Sequence, residues 1–235
     1  MISVCVATYN GEKYIEEQLF SILDQLGTDD EIIISDDCST DNTVAVIKKL
    51  SDSRIKLFFN KEKGYTSNFE NGLKQVRGDI VFISDQDDIW DPNKVSVCLK
   101  ELQFVDLVVS DCKLINSNNE VISDSYFKLR GVKKSSWGNL IKFSYLGCCL
   151  AFRSEILKKA LPFPSNRQFC THDNWLFLVG SFLFKHKVLD DTLIYYRRHD
   201  GNVSTGGLIS ATSNWFKIKY RIYLCFFLVK RSLLN

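Results

Sequence analysis

The sequence predicts an α/β fold with a mostly parallel central sheet, Rossmann-like, covered by helices on both faces and built as a single domain. Three observations carry this. Short apolar runs rich in β-branched residues alternate with stretches of helical period through the first half of the chain. Polar, acidic turns follow the early strand-like runs. No stretch rich in serine, glycine and proline interrupts the 235 residues, which hold only three prolines. That length suffices for one large α/β domain with a substantial core.

The first run, Ser3–Ala7, reads as a strand. Ile15, Leu19, Ile22 or Leu23, and Leu26 then recur on one face of a helix. Glu31–Ser35 is the second strand, after which Thr40 or Asp41 can cap a helix running to Leu50 with Val44 and Ile47 inward. Ile55–Phe59 and Ile80–Ser84 are the next strands, with a helix from Ser67 to Val76 between them. Pro92 near its first turn suits a helix reaching Leu102, and Leu107–Ser110 is a fifth strand. This β-α-β-α order is the pattern of a sheet buried on both faces. Further on, Tyr145–Phe152 reads as a buried strand, Ser154–Ala160 as a short helix, Asp173–Phe184 as a longer one and Leu193–Arg197 as a strand. Their order in the sheet is not readable from the sequence.

Composition narrows the function. The chain is 45% hydrophobic and 25% charged, as in soluble globular proteins, and its net charge of +2 gives no ground for nucleic-acid binding. The charge is uneven. No acidic residue follows Asp200, whereas Lys217, Lys219, Arg221, Lys230 and Arg231 all do. Eight cysteines occur without a C-x-x-C pair, mostly inside apolar runs, and read as buried thiols of a reducing compartment. The N-terminus begins directly with a strand-like run and not with a signal peptide, and no window is apolar enough to span a bilayer. The expected location is the cytoplasm.

In open α/β sheets, ligands collect beyond the carboxyl ends of the strands. The first strand is followed by Thr8-Tyr9-Asn10-Gly11, the second by Asp36-Asp37-Cys38-Ser39 and the fourth by Asp85-Gln86-Asp87-Asp88. Any one acidic turn is as readily a helix cap or solvated loop; three at one edge point to a site. Asp85, Asp87 and Asp88 repel one another unless protons or a cation compensate, and Mg2+ or Mn2+ suits carboxylates together with phosphate. Neither G-x-G-x-x-G nor G-x-x-x-x-G-K-[ST] is present, which disfavours dinucleotide and P-loop chemistry.

The runs V-C-V-A-T-Y-N-G, I-S-D-D-C-S-T-D and R-G-D-I-V-F-I-S-D-Q-D-D-I-W-D-P resemble family 2 glycosyltransferases of the GT-A fold. S-D-Q-D-D-I-W with the later H-D-N-W-L is most similar to the rhamnosyltransferase-like branch serving bacterial surface polysaccharides such as O-antigen and capsule. The resemblance extends from the first strand to about Ser204. It implies that Ala7, Thr8, Tyr9 and Asp37 hold the pyrimidine base of a nucleotide-sugar donor, with Asp36 the alternative to Asp37. It sets Asp85, with Gln86, at the donor and metal, Asp87 as the main metal ligand, and His199 as completing the metal shell. Asp88 is either a second ligand or a structural acceptor. Asn68 faces the donor, or else is a cap or surface amide. Asp173 is the catalytic base of an inverting transfer, taking the acceptor hydroxyl's proton; on its residues alone it reads as a helix N-cap. Gly147, Cys148, His172 and Trp175 fall on the acceptor side, with Trp175 the tryptophan expected nearest a substrate.

The division expected is a GT-A domain over residues 1–205 and a basic, amphipathic tail over 206–235. In the tail, aromatic and aliphatic residues flanked by lysine and arginine suit either a helix on an anionic membrane surface or one packed on the domain or a second subunit. The resemblance adds a dTDP-rhamnose or UDP-hexose donor, a polyprenyl-diphosphate-linked glycan acceptor and a peripheral location on the inner face of the cytoplasmic membrane. Two other classes compete. A sugar-nucleotide pyrophosphorylase needs a glycine-rich basic loop where Thr8-Tyr9-Asn10-Gly11-Glu12 stands, and a non-catalytic nucleotide-sugar-binding module predicts a broken D-x-D or a missing base.

Overall fold

The computed structural model describes residues 1–199 and 213–233. Its nine-stranded sheet contains β1 (Ile2–Thr8), β2 (Glu31–Asp36), β3 (Ile55–Phe59), β4 (Ile80–Ser84), β5 (Ile89–Trp90), β6 (Leu107–Ile115), β7 (Val121–Ser123), β8 (Leu150–Arg153) and β9 (His186–Arg197). They are ordered β3-β2-β1-β4-β8-β6-β9-β5, with β7 on β6. The long ladders are parallel: β1 with β2 and β4, β2 with β3, and β6 with β9. Shorter antiparallel ladders insert β8 between β4 and β6 and add β5 and β7. The fold is α/β with a mostly parallel sheet, as the sequence predicts.

The helices are α1 (Ile15–Leu23), α2 (Thr43–Lys49), α3 (Tyr65–Leu73), α4 (Lys94–Glu101), α5 (Tyr126–Arg130), α6 (Ser136–Ile141), α7 (Glu155–Ala160), α8 (His172–Leu183) and α9 (Asn214–Ser232). Alternation along β1 divides the core. Val4 and Val6 point into a layer with α1, α2 and α4, while Cys5 points into the opposite layer with α3, α7 and α8. Both faces of the central strands are therefore apolar, which explains their unbroken hydrophobic runs. In α9, Leu224 and Leu228 join the second layer against α7 and α8.

Several boundaries shift for local reasons. The Tyr145–Phe152 run divides into a 3-10 turn at Gly147–Cys149 followed by β8. Lys94, almost wholly buried, donates from Nζ to Cys148 O at 2.7 Å, taking a carbonyl out of strand pairing. Strand β9 starts at His186 and not at Leu193, because its first half carries Lys187, Asp190 and Asp191, whose charges disguise it. Strand β6 continues to Ile115 although Ser110, Asp111 and Lys113 interrupt its apolar pattern. Gly64, at φ 122°, sets the entry to α3 two residues ahead of the expected Ser67. Six cysteines (5, 98, 112, 148, 149 and 170) are buried as free thiols; Cys38 is exposed and Cys225 half-buried. The boundary expected at 205/206 lies outside the described residues. Among those described, no helix is long and apolar enough to cross a membrane.

Candidate active site

Strands β1, β2 and β4 run parallel, so the loops after Thr8, Asp36 and Ser84 leave the same edge of the sheet. Side chains tie these loops together. Gln86 grips the backbone of Tyr9 from both sides: Tyr9 N donates to Oε1 at 2.8 Å and Nε2 donates to Tyr9 O at 3.0 Å. Gly11 lies beneath this clamp, where a Cβ would push the Gln86 amide aside. Asn10 joins the first loop to the second, donating from N to Ser39 Oγ at 2.9 Å and accepting from Thr40 N at 2.8 Å. Gln86, expected at the donor, thus engages protein backbone and shapes the loop that carries Tyr9.

The two adjacent aspartates face different partners. Asp36 is fully buried; its Oδ2 accepts from Thr8 Oγ1 at 2.9 Å and Ser39 Oγ at 2.6 Å, and its Oδ1 from Ser39 N at 2.8 Å. Asp37 lies at the edge of the cleft, accepting from Asn60 Nδ2 at 2.8 Å and Gly64 N at 2.9 Å. Each of its oxygens keeps acceptor capacity. Asn68 is buried with Nδ2 donating to Thr8 O at 3.1 Å, and its Oδ1 has no hydrogen-bond partner among the described residues. Ala7 is half-buried behind this floor and the Tyr9 ring is exposed above it.

The acidic loop after β4 converges with two distant segments. Asp85 is pushed up to about 7, by burial first, then by the negative charges of Asp87 and Asp173. Asp88, fully buried, has a carboxyl raised well above the usual range, again by burial and then by Asp87 and Asp85. Its Oδ1 accepts from Arg197 N at 3.1 Å, and its Oδ2 has no hydrogen-bond donor among the described residues. Asp87 Oδ2 lies 2.9 Å from His199 Nε2, bringing together the two expected metal ligands from positions far apart in the chain. Ligand atoms of Asp85, Asp88 and Cys148 lie within 4.8 Å of one another. Asp85, Asp88 and Cys148 thus form one cluster, whose carboxylates suit a divalent cation, and Asp87 with His199 forms a separate neighbouring pair.

Gly147 and Cys148, expected together on the acceptor side, face different ways. Cys148 sits against the acidic loop. Gly147 packs on α8, where a Cβ would lie 2.5 Å from His172 Nε2. His172 is buried, stacked on Phe69 at a centroid distance of 3.9 Å and met edge-on by Tyr65 at 6.0 Å. Burial lowers its pKa, so the ring is neutral near pH 7. Asp173, next along, is half-buried, and its charge acts on Asp85 across the cleft and on Tyr65 beside it. It is not the N-cap of α8, which is Thr171. Trp175 does not reach the cleft. It is fully buried and donates from Nε1 to Ala160 O at 2.9 Å, packing α8 on α7. Two residues along the helix, about 200° of rotation, separate it from Asp173, which turns it to the opposite side and into the core.

Arg197 is a residue at the candidate site that sequence reasoning passed over. Its nearly buried guanidinium donates from Nε to Asp87 O at 2.7 Å, pairs with Glu17 at 2.8 Å, contacts Asn119 and lies 4.5 Å over the Tyr14 ring. It braces the acidic loop from behind. The signal was its place two residues before His199, but a buried arginine looks no different from a surface one in sequence.

The comparisons with known proteins bear on family and fold. Glycosyl transferase family 2 matches residues 3–161, which includes both donor-side acidic turns and stops short of Asp173 and His199. The chain is 29% identical to the Escherichia coli UDP-Glc:alpha-D-GlcNAc-diphosphoundecaprenol beta-1,3-glucosyltransferase WfgD, over 70% of this chain and 64% of that protein. It is 30% identical to the dTDP-rhamnosyl transferase RfbG of Shigella flexneri, over 92% of this chain and 77% of that protein. It spans about two thirds of the length of such curated relatives, 66% for an uncharacterized Nostoc glycosyltransferase. The S. aureus TarS 1-349 structure in complex with UDP-GlcNAc superposes with a TM-score of 0.72 at 20% identity, covering all of this chain and 67% of that one. The Pyrobaculum calidifontis mannosyltransferase PcManGT, in complex with GDP-Man and Mn2+, gives 0.62 at 22%, covering 83% and 56%. With a family match over more than half its length, on a sheet whose parallel strands deliver the matched turns to one edge, this chain belongs to glycosyl transferase family 2.

Proposed function

We propose that the protein is an inverting glycosyltransferase that moves a sugar from a nucleoside diphosphate donor to a glycan acceptor carried on a lipid. The observation that carries this reading is the convergence of Asp85, Asp87 and Asp173 on one cleft, close enough for the latter two to raise the Asp85 carboxyl. Asp37 accepts the imide of the pyrimidine in preference to Asp36, whose oxygens are already engaged with Thr8 and Ser39. Thr8, Tyr9 and Asn68 frame the base, and Asn68 Oδ1 is a buried acceptor without a donor of its own. Asp87, Asp85 and His199 would hold Mn2+ or Mg2+. The fit is chemical: the cluster carries raised carboxyls and an undonated Asp88 oxygen, both of which a cation relieves. When bound, the ion neutralises charge on the departing diphosphate.

Asp173 accepts the proton of the acceptor hydroxyl as that oxygen bonds to the anomeric carbon. The bond from that carbon to the diphosphate breaks on the opposite face, and its electron pair leaves with the phosphate oxygen. The donor is a dTDP- or UDP-sugar. Support comes from RfbG and WfgD, whose names give a dTDP-rhamnosyl and a UDP-Glc activity, the latter on an undecaprenol-linked acceptor. A membrane-carried acceptor places the protein on the inner face of the cytoplasmic membrane, as part of surface-polysaccharide synthesis.

The test is donor turnover. A panel of nucleotide sugars with Mn2+ is expected to yield slow nucleoside diphosphate release through water in the acceptor's place. Asp173→Asn should keep donor binding and lose turnover, while Asp87→Ala should lose metal-dependent donor binding. No release from any donor together with no metal-dependent thermal shift would overturn the assignment.

A further inference from the structure

Helix α9 is apolar on two opposite faces, and the fold uses one of them. Leu224 and Leu228 point inward and are buried against α7 and α8. Arg221 fixes the helix laterally, donating from Nε to Leu140 O at 2.8 Å and from Nη2 to Ile141 O, the last residue of α6. On the far side, Trp215, Ile218, Ile222, Phe226, Val229 and Leu233 follow one another at spacings of three and four and are 49–77% exposed. That spacing keeps all six on one stripe along the whole helix. Among the described residues nothing covers it, and six large apolar side chains exposed over five turns form a contiguous patch of the kind that marks an interaction surface.

Charge identifies what covers it. Residues 213–233 contain five basic side chains and no acidic one. Lys219 and Lys230, both exposed, lie along one edge of the stripe, and no carboxylate among the described residues pairs with either. Lys219 Nζ sits 5.4 Å over the Trp215 ring, keeping an ammonium beside an aromatic at the start of the helix. An apolar stripe with an aromatic residue and an unpaired basic edge is the pattern of a helix lying in a lipid interface. A protein partner covering the stripe would need matching carboxylates; a self-association of this face would set basic edges against each other.

We propose that the outer face of α9 is the surface by which this protein lies on an anionic lipid bilayer. The geometry gives docking a direction. A shallow groove of about 410 Å³, lined by Phe169, Lys219, Ile222, Tyr223 and Phe226, opens beside the stripe. Phe169, four residues before Asp173 in the chain, packs edge-on against Phe216 and Tyr223 of α9, which ties the segment leading to Asp173 to this helix. This deepens the reading of a membrane-carried acceptor, and it is tested without donor or acceptor so that either can fail alone.

The experiment is vesicle co-sedimentation of the whole chain, comparing phosphatidylcholine with a phosphatidylcholine–phosphatidylglycerol mixture at low and high salt. Binding is expected only to the anionic vesicles and weaker in salt. Ile222→Glu with Phe226→Glu should abolish it; both side chains are exposed, so circular dichroism and UDP or dTDP affinity should be unchanged. Lys219→Glu with Lys230→Glu should lower partition by at least about tenfold. Equal binding to both vesicle types, or none to either, overturns the proposal. So does a dimer in solution that the Ile222/Phe226 double substitution breaks while leaving lipid binding unaltered.

Discussion

Gly147→Ala is a small change with a large expected effect, because the structure leaves no room for one methyl group. The added Cβ would stand 2.5 Å from His172 Nε2 and 3.2 Å from its Cδ2. Ordinary contact begins near 3.4 Å, so the imidazole has to yield by about 0.9 Å. It cannot swing freely, since Phe69 stacks on it at 3.9 Å and Tyr65 closes its edge. The strain passes to the start of α8, where Asp173 is the next residue. Overpacking of this kind costs about 1–3 kcal/mol, which in a domain of this size lowers Tm by roughly 2–12 °C.

The effect on turnover should exceed the effect on stability. Displacing a reacting group by about 1 Å costs on the order of a hundredfold in rate, and the displaced group here is the proposed base. Asp37, the proposed partner of the nucleotide base, follows β2 and bonds Asn60 and Gly64, away from His172, so UDP or dTDP affinity should stay within about twofold. The assay pairs nucleoside diphosphate release from a turned-over donor with calorimetric titration of the free nucleotide. A folded Gly147→Ala protein that turns over at the normal rate would show that Asp173 is not the proton acceptor, or that its position does not depend on His172.

Metal-free protein should show the charge repulsion in the acidic loop directly. The Asp85 carboxyl is pushed up from 3.8 to about 7, so its ionised form is disfavoured by folding. The penalty is absent below about pH 4, grows as pH rises toward 7 and is complete above it. After a discount for partial exposure, Asp85→Asn should recover about 2 kcal/mol, or roughly 4–8 °C in Tm, at pH 8 and nothing at pH 4; parallel melting curves for both proteins across that range would refute it. Mn2+ should stabilise the unsubstituted protein more at pH 8 than at pH 5.5, read by the same melts. Arg197→Met keeps side-chain length but removes the donor to Asp87 O; the half-exposed Glu17 rehydrates, so stability falls by only about 1–2 kcal/mol while Mn2+ affinity by calorimetry falls about 10–100-fold. Gln86→Ala removes both bonds to the Tyr9 backbone and should weaken nucleotide binding about tenfold with saturated turnover unchanged.

The turns of the proposed donor half were legible because they are local. Each of its turns directly follows a parallel strand, and the strands announce themselves as apolar runs that are buried on both faces, Val4-Cys5-Val6 and Ile32-Ile33-Ile34 among them. Side-chain choices within a turn were not legible. Asp36 and Asp37 are chemically identical in sequence, and only the Thr8 and Ser39 hydroxyls that surround Asp36 separate a scaffold carboxylate from one at the cleft. Gln86 was placed on the donor because an amide can serve a ligand or a backbone equally well. Trp175 went wrong for a helical reason, since adjacency to Asp173 along α8 says nothing about which side of the helix meets the cleft.

The second half resisted because its strands are recruited against the grain of the first. Strand β8 enters antiparallel between β4 and β6, and that reversal brings the Gly147 turn to the edge where the parallel strands end. Strand β9 then runs parallel to β6 for its full length with two register shifts, which carry Arg197 and His199 onto the acidic loop from behind and beside it. Neither event leaves a periodic trace: β8 is four residues long and β9 starts in charged sequence. The consequence bears on how Asp173 is weighed. Taken as a residue in a helix's first turn it is an unremarkable acidic position, favoured there by the helix dipole. Its charge, felt by Asp85, is what distinguishes it, and that proximity depends on β8 having turned the chain back beside β4. The placing of the proposed base therefore depends on the topology, and a substitution that unseats β8 should remove turnover while the proposed nucleotide floor after β1 and β2 still binds.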